Sequence, residues 1–411
     1  MLLYDELLYR DMIKDVSDVD LAKKLLNGKK IKVYCGFDPT GESLTVGHLV
    51  QIIRMKLLEK YNHVPVVLIG GATGLIGDPK ETSERKLLTL EESLHNAKMI
   101  EAQIKKYLPN AIYVNNYDWI KNIDLISFLR DYGKHFNVNY MLAKDTVSKR
   151  LDTGISYTEF SYMILQAIDW LYLYENKNVQ IQFGGSDQWG NITSGLELIR
   201  KRLGETETVG MSSPLLLKSD GTKFGKSESG TIWIDENLTS PYELYQYFIN
   251  TGDDDIENYL KTLTLLEPKE IDKLVELQKK EPESRIAQKS LAEEICKFVH
   301  GEKTLKKVIN VSESLFSGDL SNLTKEELAL AYNALEGIEI ENNEGIIKVL
   351  TETNLATSNR EARTFIQSGA VTVNDVKIDD FNATLVKEKA YFETYMIIRR
   401  GKKRFQMVKF K

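Results

Sequence analysis

Ile31-Lys32-Val33-Tyr34-Cys35-Gly36-Phe37-Asp38-Pro39-Thr40 is the stretch that decides the fold. A short β-branched and aromatic run closes on Gly, Asp and Pro, which reads as a buried strand ended by a turn. Beyond it, Leu49, Ile52, Ile53, Leu57 and Leu58 recur at helical spacing, and Val64 to Ile69 forms a second apolar run. Strand, helix, strand in that order predicts an α/β, doubly wound parallel sheet of the Rossmann-like kind. Ala111 to Val114 and Val179 to Phe183 read as further strands of it. Ligands of such sheets sit beyond the carboxyl ends of the strands, where Asp38-Pro39-Thr40 and Gly70-Gly71-Ala72-Thr73-Gly74 both fall.

Two distant segments carry the chemistry. Leu44-Thr45-Val46-Gly47-His48 sets a His at the start of the first helix, and Lys223-Phe224-Gly225-Lys226-Ser227 sets two lysines around a Gly. Together they suit a triphosphate held from two sides, by oriented helix N–H groups and by mobile positive charge. The run Gly70 to Pro79 matches neither a phosphate-binding Walker loop nor a dinucleotide fingerprint. As a turn it simply permits close packing, but Asp78 adds a carboxylate suited to a substrate ammonium group. Tyr162, Gln166 and Asp169 share one face of an otherwise apolar helix, so they either bond one another or line a polar pocket. Gln182 with Gly184-Gly185-Ser186-Asp187-Gln188-Trp189 again follows a strand.

The 411 residues suffice for two or three domains. With 42% hydrophobic and 28% charged residues the chain has a globular balance, and its net charge of -6 restricts any nucleic-acid contact to local patches. Cys35 and Cys296 make no disulfide framework, and neither a leader peptide nor a membrane span is evident, so a cytoplasmic setting is expected. Strand signals fade after Ser240, and a helical domain is expected over 241–335, opening on Asp253-Asp254-Asp255. Gly337 to Gly345 reads as a polar linker. In the last segment, 346–411, Ser358-Asn359-Arg360-Glu361 has the form of a capping box, and Gly369 is placed to end the helix. From Arg399 onward basic residues alternate with Phe405 and Phe410, with no acid among them. That pattern suits either a nucleic-acid backbone or a solvated basic tail.

Taken in order, Gly36 to Thr40 with Val46-Gly47-His48, Gly70 to Pro79, Tyr162 to Asp169, Gly184 to Trp189 and Lys223 to Ser227 resemble bacterial tyrosyl-tRNA synthetases, class I enzymes, over nearly the whole chain. The last segment is similar to that family's RNA-binding module, shared with a ribosomal small-subunit protein. The resemblance implies a catalytic domain over 1–220, a lysine loop and linker over 221–240, a helical domain at 241–335 that binds the anticodon region, and an RNA-binding domain at 346–411. It also implies a homodimer, with the segment around Tyr157 near the interface.

Residue by residue, the resemblance implies that Tyr34 and Asp169 bond the phenol hydroxyl of tyrosine, while Asp78, Tyr162 and Gln166 hold its ammonium and Gln182 completes the pocket. Cys35, Gly36, Asp38, Gly47, Asp187 and Gln188 lie along ATP and the adenylate. Thr40, His48, Lys223, Lys226 and Ser227 bind the phosphates, joined by Arg85. Arg360, Arg363, Arg399, Arg400, Lys402, Lys403 and Arg404 contact tRNA(Tyr). ATP enters as a substrate with Mg2+, with no tightly bound cofactor and no metal ligand set. Two places depart from the family pattern. Thr45 stands where His is usual, which implies a lost donor to pyrophosphate and a gain in rate for Thr45→His. Lys80-Glu81-Thr82 is shorter and less basic than its counterparts. Tryptophan ligation is the nearest alternative, although Tyr34 with Asp169 favours a phenol over an indole, which only donates. A small-molecule adenylyltransferase would leave the C-terminal half without a task. A binding protein that has lost catalysis is the third reading, and pyrophosphate exchange separates them.

Overall fold

The computed structural model describes the chain apart from residues 80–86, 223, 228–229 and 402–403, and the backbone alone at 145, 146 and 227. Two compact units divide it: Met1–Leu238 with Ile249–Glu294, and Thr239–Phe248 with Ile295–Lys411.

In the first unit, β1 (Lys32–Phe37), β2 (Val64–Ile69), β3 (Ile112–Asn115), β4 (Val179–Gly185) and β5 (Val209–Ser213) form a sheet of order β3-β2-β1-β4-β5. Every pairing is parallel. Strand order reverses between β1 and β4, so their carboxyl ends open the crevice where ligands bind in such sheets. Helix α1 (Leu49–Lys60) returns the chain from β1 to β2 and buries Leu49, Ile52, Ile53, Leu57 and Leu58, the residues whose spacing predicted it. Helices α2 (Tyr157–Lys177) and α3 (Trp189–Leu203) enclose a core with Tyr34, Trp170, Ile168 and Ile192. β5 is the strand that the sequence concealed. Gly210, Ser212 and Ser213 break its apolar run, and it is held by pairing to β4.

Asp253-Asp254-Asp255 occupies the first turn of α4 (Asp253–Leu263), where carboxylates meet the positive end of the helix dipole. The far end of α4 is fastened by Arg10. Its guanidinium is buried against Glu6 and donates to the carbonyls of Lys261, Thr264 and Leu266.

In the second unit, β6 (Ile338–Ile340), β7 (Val371–Val373), β8 (Val376–Lys377), β9 (Tyr395–Arg400) and β10 (Arg404–Phe410) make a sheet of order β8-β7-β9-β10-β6. Its pairings are antiparallel except for β10 with β6. The expected linker at 337–345 is thus corrected in part: Ile338 and Ile340 alternate around exposed Glu339, and Ile340 is buried in the core. Helix α5 (Asn359–Gln367) opens on Ser358, whose hydroxyl accepts the N–H of Glu361, but the Glu361 carboxylate takes the N–H of Thr357 rather than closing the expected box on Ser358. Gly369 follows with φ +66, as a helix end requires. The basic C-terminus is the β9–β10 hairpin, not a free tail.

Candidate active site

A cavity of about 260 Å³ opens at the carboxyl ends of β1 and β4. It gathers Tyr34, Cys35, Gly36, Asp38, Thr40, His48, Asp78, Tyr162, Gln166, Asp169, Gln182, Asp187 and Gln188, all of them expected from the sequence. Thr73, Gln51 and Phe183 join them unannounced.

One end is built to receive a polar group inside an apolar core. Tyr34 and Gln182 stand side by side in register on β1 and β4. Tyr34 Oη and Gln182 Oε1 are both buried and have no hydrogen-bond partner among the described residues. Buried polar atoms are normally satisfied, so this pair marks a place for a ligand. Asp169 lies beside them at the bottom of the pocket. It does not bond Tyr34: its Oδ1 accepts from Trp119 Nε1 at 2.9 Å and its Oδ2 from Asn116 Nδ2 at 3.0 Å. Trp119 in turn stacks on Tyr172 with ring centroids 4.3 Å apart, which fixes the donor. Burial pushes the Asp169 carboxyl up to about 8 despite these two donors. Neither Asn116 nor Trp119 stood out in the sequence, because a donor to a distant carboxylate leaves no local pattern.

The polar cluster of α2 resolves in favour of a pocket. Tyr162 Oη donates to Asp38 Oδ2 at 2.8 Å, and Asp38 Oδ1 accepts from Thr73 Oγ1 at 2.7 Å. Gly70 makes this possible, since a Cβ there would lie 2.0 Å from Asp38 Oδ1. Asp78 accepts from Gln188 Nε2 at 2.7 Å and Asn191 Nδ2 at 3.1 Å. Burial, reinforced by Asp38 and Asp187, pushes its carboxyl up to about 6 against those donors.

The other end belongs to the start of α1. A Cβ on Gly36 would meet protein only at 3.8 Å, so the space before it is open cavity. The Thr45 N–H donates to His48 Nδ1 at 3.1 Å, leaving Nε2 to carry the proton of a neutral imidazole. Burial depresses the His48 pKa and keeps the ring neutral. Thr45 Oγ1 also lies 3.1 Å from Nδ1 and is not part of the cavity wall. Thr45 thus supports His48.

The two distant motifs meet. Val46 N–H donates to Ile232 O, Ile232 N–H to Gly225 O, and Ile234 N–H to Leu44 O. Gly225 has φ +81, and a Cβ there would lie 3.0 Å from Val46 Cγ2. Phe224 is pinned edge-on to Tyr259 of α4 at 4.9 Å. Lys226, exposed on the strand pair Lys226–Ser227 with Gly230–Thr231, lies outside the cavity wall. Gly47 is exposed beside His48. Lys223, Arg85 and Lys80 fall outside the described residues, as do Lys402, Lys403 and the side chain of Ser227.

A family described as "tRNA synthetases class I (W and Y)" matches residues 26–317, and one described as "Tyrosine--tRNA ligase SYY-like C-terminal domain" matches 327–408. The chain belongs to the tyrosyl-tRNA synthetase family. It is 49% identical to the tyrosine-tRNA ligase of Onion yellows phytoplasma, covering 100% of both chains, and 46% identical to that of Geobacillus stearothermophilus, covering 98% and 99%. Among solved structures, a C-terminally truncated mitochondrial tyrosyl-tRNA synthetase of Aspergillus nidulans aligns with a TM-score of 0.69 at 32% identity, over 77% of this chain and 94% of that one.

Membership of this family gives meaning to the second unit. Arg360, Arg363 and Arg404 are exposed, and hydrogen bonds from Thr357 hold the Glu361 carboxyl low, with a smaller contribution from Arg400 and Arg404. Arg399 and Arg400 are partly committed to the fold. Arg399 binds Gly318 O and lies over Phe405, and Arg400 donates to Leu355 O at 2.7 Å and lies over Phe365.

Proposed function

We infer that the chain activates L-tyrosine with ATP and then esterifies the 3′ end of tRNA(Tyr). The tyrosine carboxylate attacks the α-phosphorus of ATP, and the bond to the β-phosphate breaks to release pyrophosphate. A ribose hydroxyl of the tRNA then attacks the tyrosyl carbonyl, and AMP leaves. No enzyme nucleophile is needed, so catalysis is positioning and charge stabilisation.

The observation that carries this reading is the pair of buried, unpartnered atoms, Tyr34 Oη and Gln182 Oε1, beside the carboxyl of Asp169. A phenol hydroxyl brings both a donor and an acceptor to that corner, whereas phenylalanine would leave it unsatisfied. The preference of this family for tyrosine over phenylalanine is itself the established example of that effect. Asp78 and Tyr162, with Gln166, hold the ammonium. Cys35, Gly36, Asp187 and Gln188 face the nucleoside, with Asp38 and Gly47 beside them. His48 Nε2–H and Thr40 meet the phosphates from one side, with Lys226, Lys223, Ser227 and Arg85 assigned to the other. Mg2+ travels as counter-ion of the triphosphate, coordinated by phosphate and water, which asks for no dedicated protein cage.

The domain assignments 1–220, 221–240, 241–335 and 346–411 follow the same reading, the last two serving tRNA. A homodimer is supported by the exposed apolar side chains of Leu125, Ile126, Leu129, Val138, Leu151 and Tyr157. Among the described residues no helix is long and apolar enough to cross a membrane. We place the reaction in the cytoplasm, with its tRNA. Incubation with labelled tyrosine, ATP and tRNA(Tyr) tests the whole reading: ribonuclease-sensitive tyrosyl ester is expected, and its absence in the presence of tyrosyl-adenylate would refute the transfer step.

A further inference from the structure

Arg54 lies in the middle of α1, one turn beyond the cavity residue Gln51, and is fully buried. Nη2 donates to Phe183 O and Nη1 to Ser213 Oγ, each at 2.9 Å, and Gly184 O lies 3.5 Å from Nη1. The guanidinium stacks 3.8 Å from the centroid of the Phe183 ring, and Cys35 Sγ is 3.8 Å from Nη2. Its Nε has no partner among the described residues. Among the described residues, Cys35 is its one ionisable neighbour, and burial holds that thiol neutral. Among the described residues Arg54 is thus a buried cation without a counter-ion, an arrangement whose desolvation is costly unless something nearby repays it.

Its surroundings indicate what does. Cys35, Phe183 and Gly184, which touch the guanidinium, are also the wall of the cavity on the side assigned to the nucleotide. The cavity carries Asp38, Asp78 and Asp187 beside the raised carboxyl of Asp169, with neither Lys nor Arg among the described lining residues. A triphosphate entering such a space meets repulsion, and a cation one layer behind the wall acts on it through a medium of low polarity, where charge is felt strongly.

We propose that Arg54 is a positioning residue for ATP, a buried charge that holds the Phe183–Gly184 end of β4 in place and offsets the acidic cavity for an anionic nucleotide. The proposal rests on the assignment of that wall to the nucleotide.

Arg54→Gln removes the charge and keeps hydrogen-bonding capacity, and Arg54→Lys keeps the charge and loses the planar contacts. In tyrosine-dependent exchange of pyrophosphate into ATP, Arg54→Gln is expected to raise KM for ATP on the order of tenfold, leave KM for tyrosine unchanged and lower kcat little. Arg54→Lys is expected to stay within about threefold of the parent, since the point charge persists. In parallel, ATP alone should raise the melting temperature of the parent and of Arg54→Lys, and do so less for Arg54→Gln. Equal losses in the two variants, or a rise in both KM values together, would make Arg54 a mere scaffold and overturn the proposal. Should Arg54→Gln fail to fold, a KM for ATP in Arg54→Lys raised tenfold or more overturns it, and a value near the parent's upholds it. The thermal shift needs no catalysis, so a parent that binds ATP without exchanging pyrophosphate would count against the tyrosine-activation reading and not against Arg54.

Discussion

Asp169 and Asp78 show how one cavity sets two carboxyls to different tasks through their surroundings. Asp169, deep beside Tyr34, accepts Trp119 and Asn116 and is pushed up to about 8, and Asp78, nearer the mouth, is pushed up to about 6. In the proposed site the tyrosine ammonium pairs with the ionised form of Asp78, so affinity is expected above that value and lost as pH falls through about 6. Stability of the unliganded protein runs the other way: a carboxyl whose pKa is raised on folding favours the folded state at low pH and loses that advantage as pH rises through about 6. The tyrosine-induced rise in melting temperature should therefore be larger at pH 7.5 than at pH 5.5, and Asp78→Asn should flatten the difference; a parent shift independent of pH would remove Asp78 from the ammonium site. Asp169→Ala should raise KM for tyrosine by at least tenfold, in line with about 1.5–3 kcal/mol for a buried bond to a charged or strongly polar partner. Tyr34→Phe should chiefly erode discrimination against phenylalanine. Thr45 was expected to be a deficit, but its N–H and hydroxyl meet His48 Nδ1. Thr45→His is now expected to leave adenylate formation no faster in a stopped-flow trace, and a faster variant would restore the original expectation.

The strap that joins Val46 to Gly225 and Ile232 is the element on which the phosphate end depends. Gly225→Ala puts a side chain at φ +81 and against Val46, a strain of about 1–2 kcal/mol that the loop can relieve only by leaving the helix start. Adenylate formation should slow in single-turnover measurements while tyrosine binding stays unchanged, and a parallel loss of both would point to general unfolding. Lys226→Ala should share this pattern, because a mobile cation helps as charge develops on the leaving group. How much of this was legible depended on whether a residue's role is local. β1 and β2 announced themselves through short runs rich in β-branched and aromatic residues, and Tyr162, Gln166 and Asp169 through their spacing on α2. β5 did not, because Gly210, Ser212 and Ser213 look like a loop until β4 lies alongside. Ile338 and Ile340 were masked by flanking acids, and only pairing with β10 makes them a strand. Arg54, Asn116 and Trp119 act across the fold, on groups more than fifteen residues away, where no sequence period can show them.

At the scale of the molecule, the residues proposed for chemistry and those proposed for tRNA binding are separate, so they should fail separately. Arg360, Arg363 and Arg404 stand exposed on the second unit, whereas every residue of the cavity wall belongs to the first. Replacing the three arginines by Glu should weaken tRNA binding and flatten its dependence on salt, since fewer phosphates are neutralised, and should leave pyrophosphate exchange intact. Full charging by that triple variant would remove these residues from tRNA recognition. We propose that the strand end of β1, the His48 helix start and the Gly225 loop form a single site that activates tyrosine. Pyrophosphate exchange into ATP, measured on the intact protein with tyrosine, phenylalanine and tryptophan in turn, tests that claim most directly: exchange with tyrosine far above the other two is predicted, and exchange driven equally by tryptophan, or none with tyrosine, would contradict it.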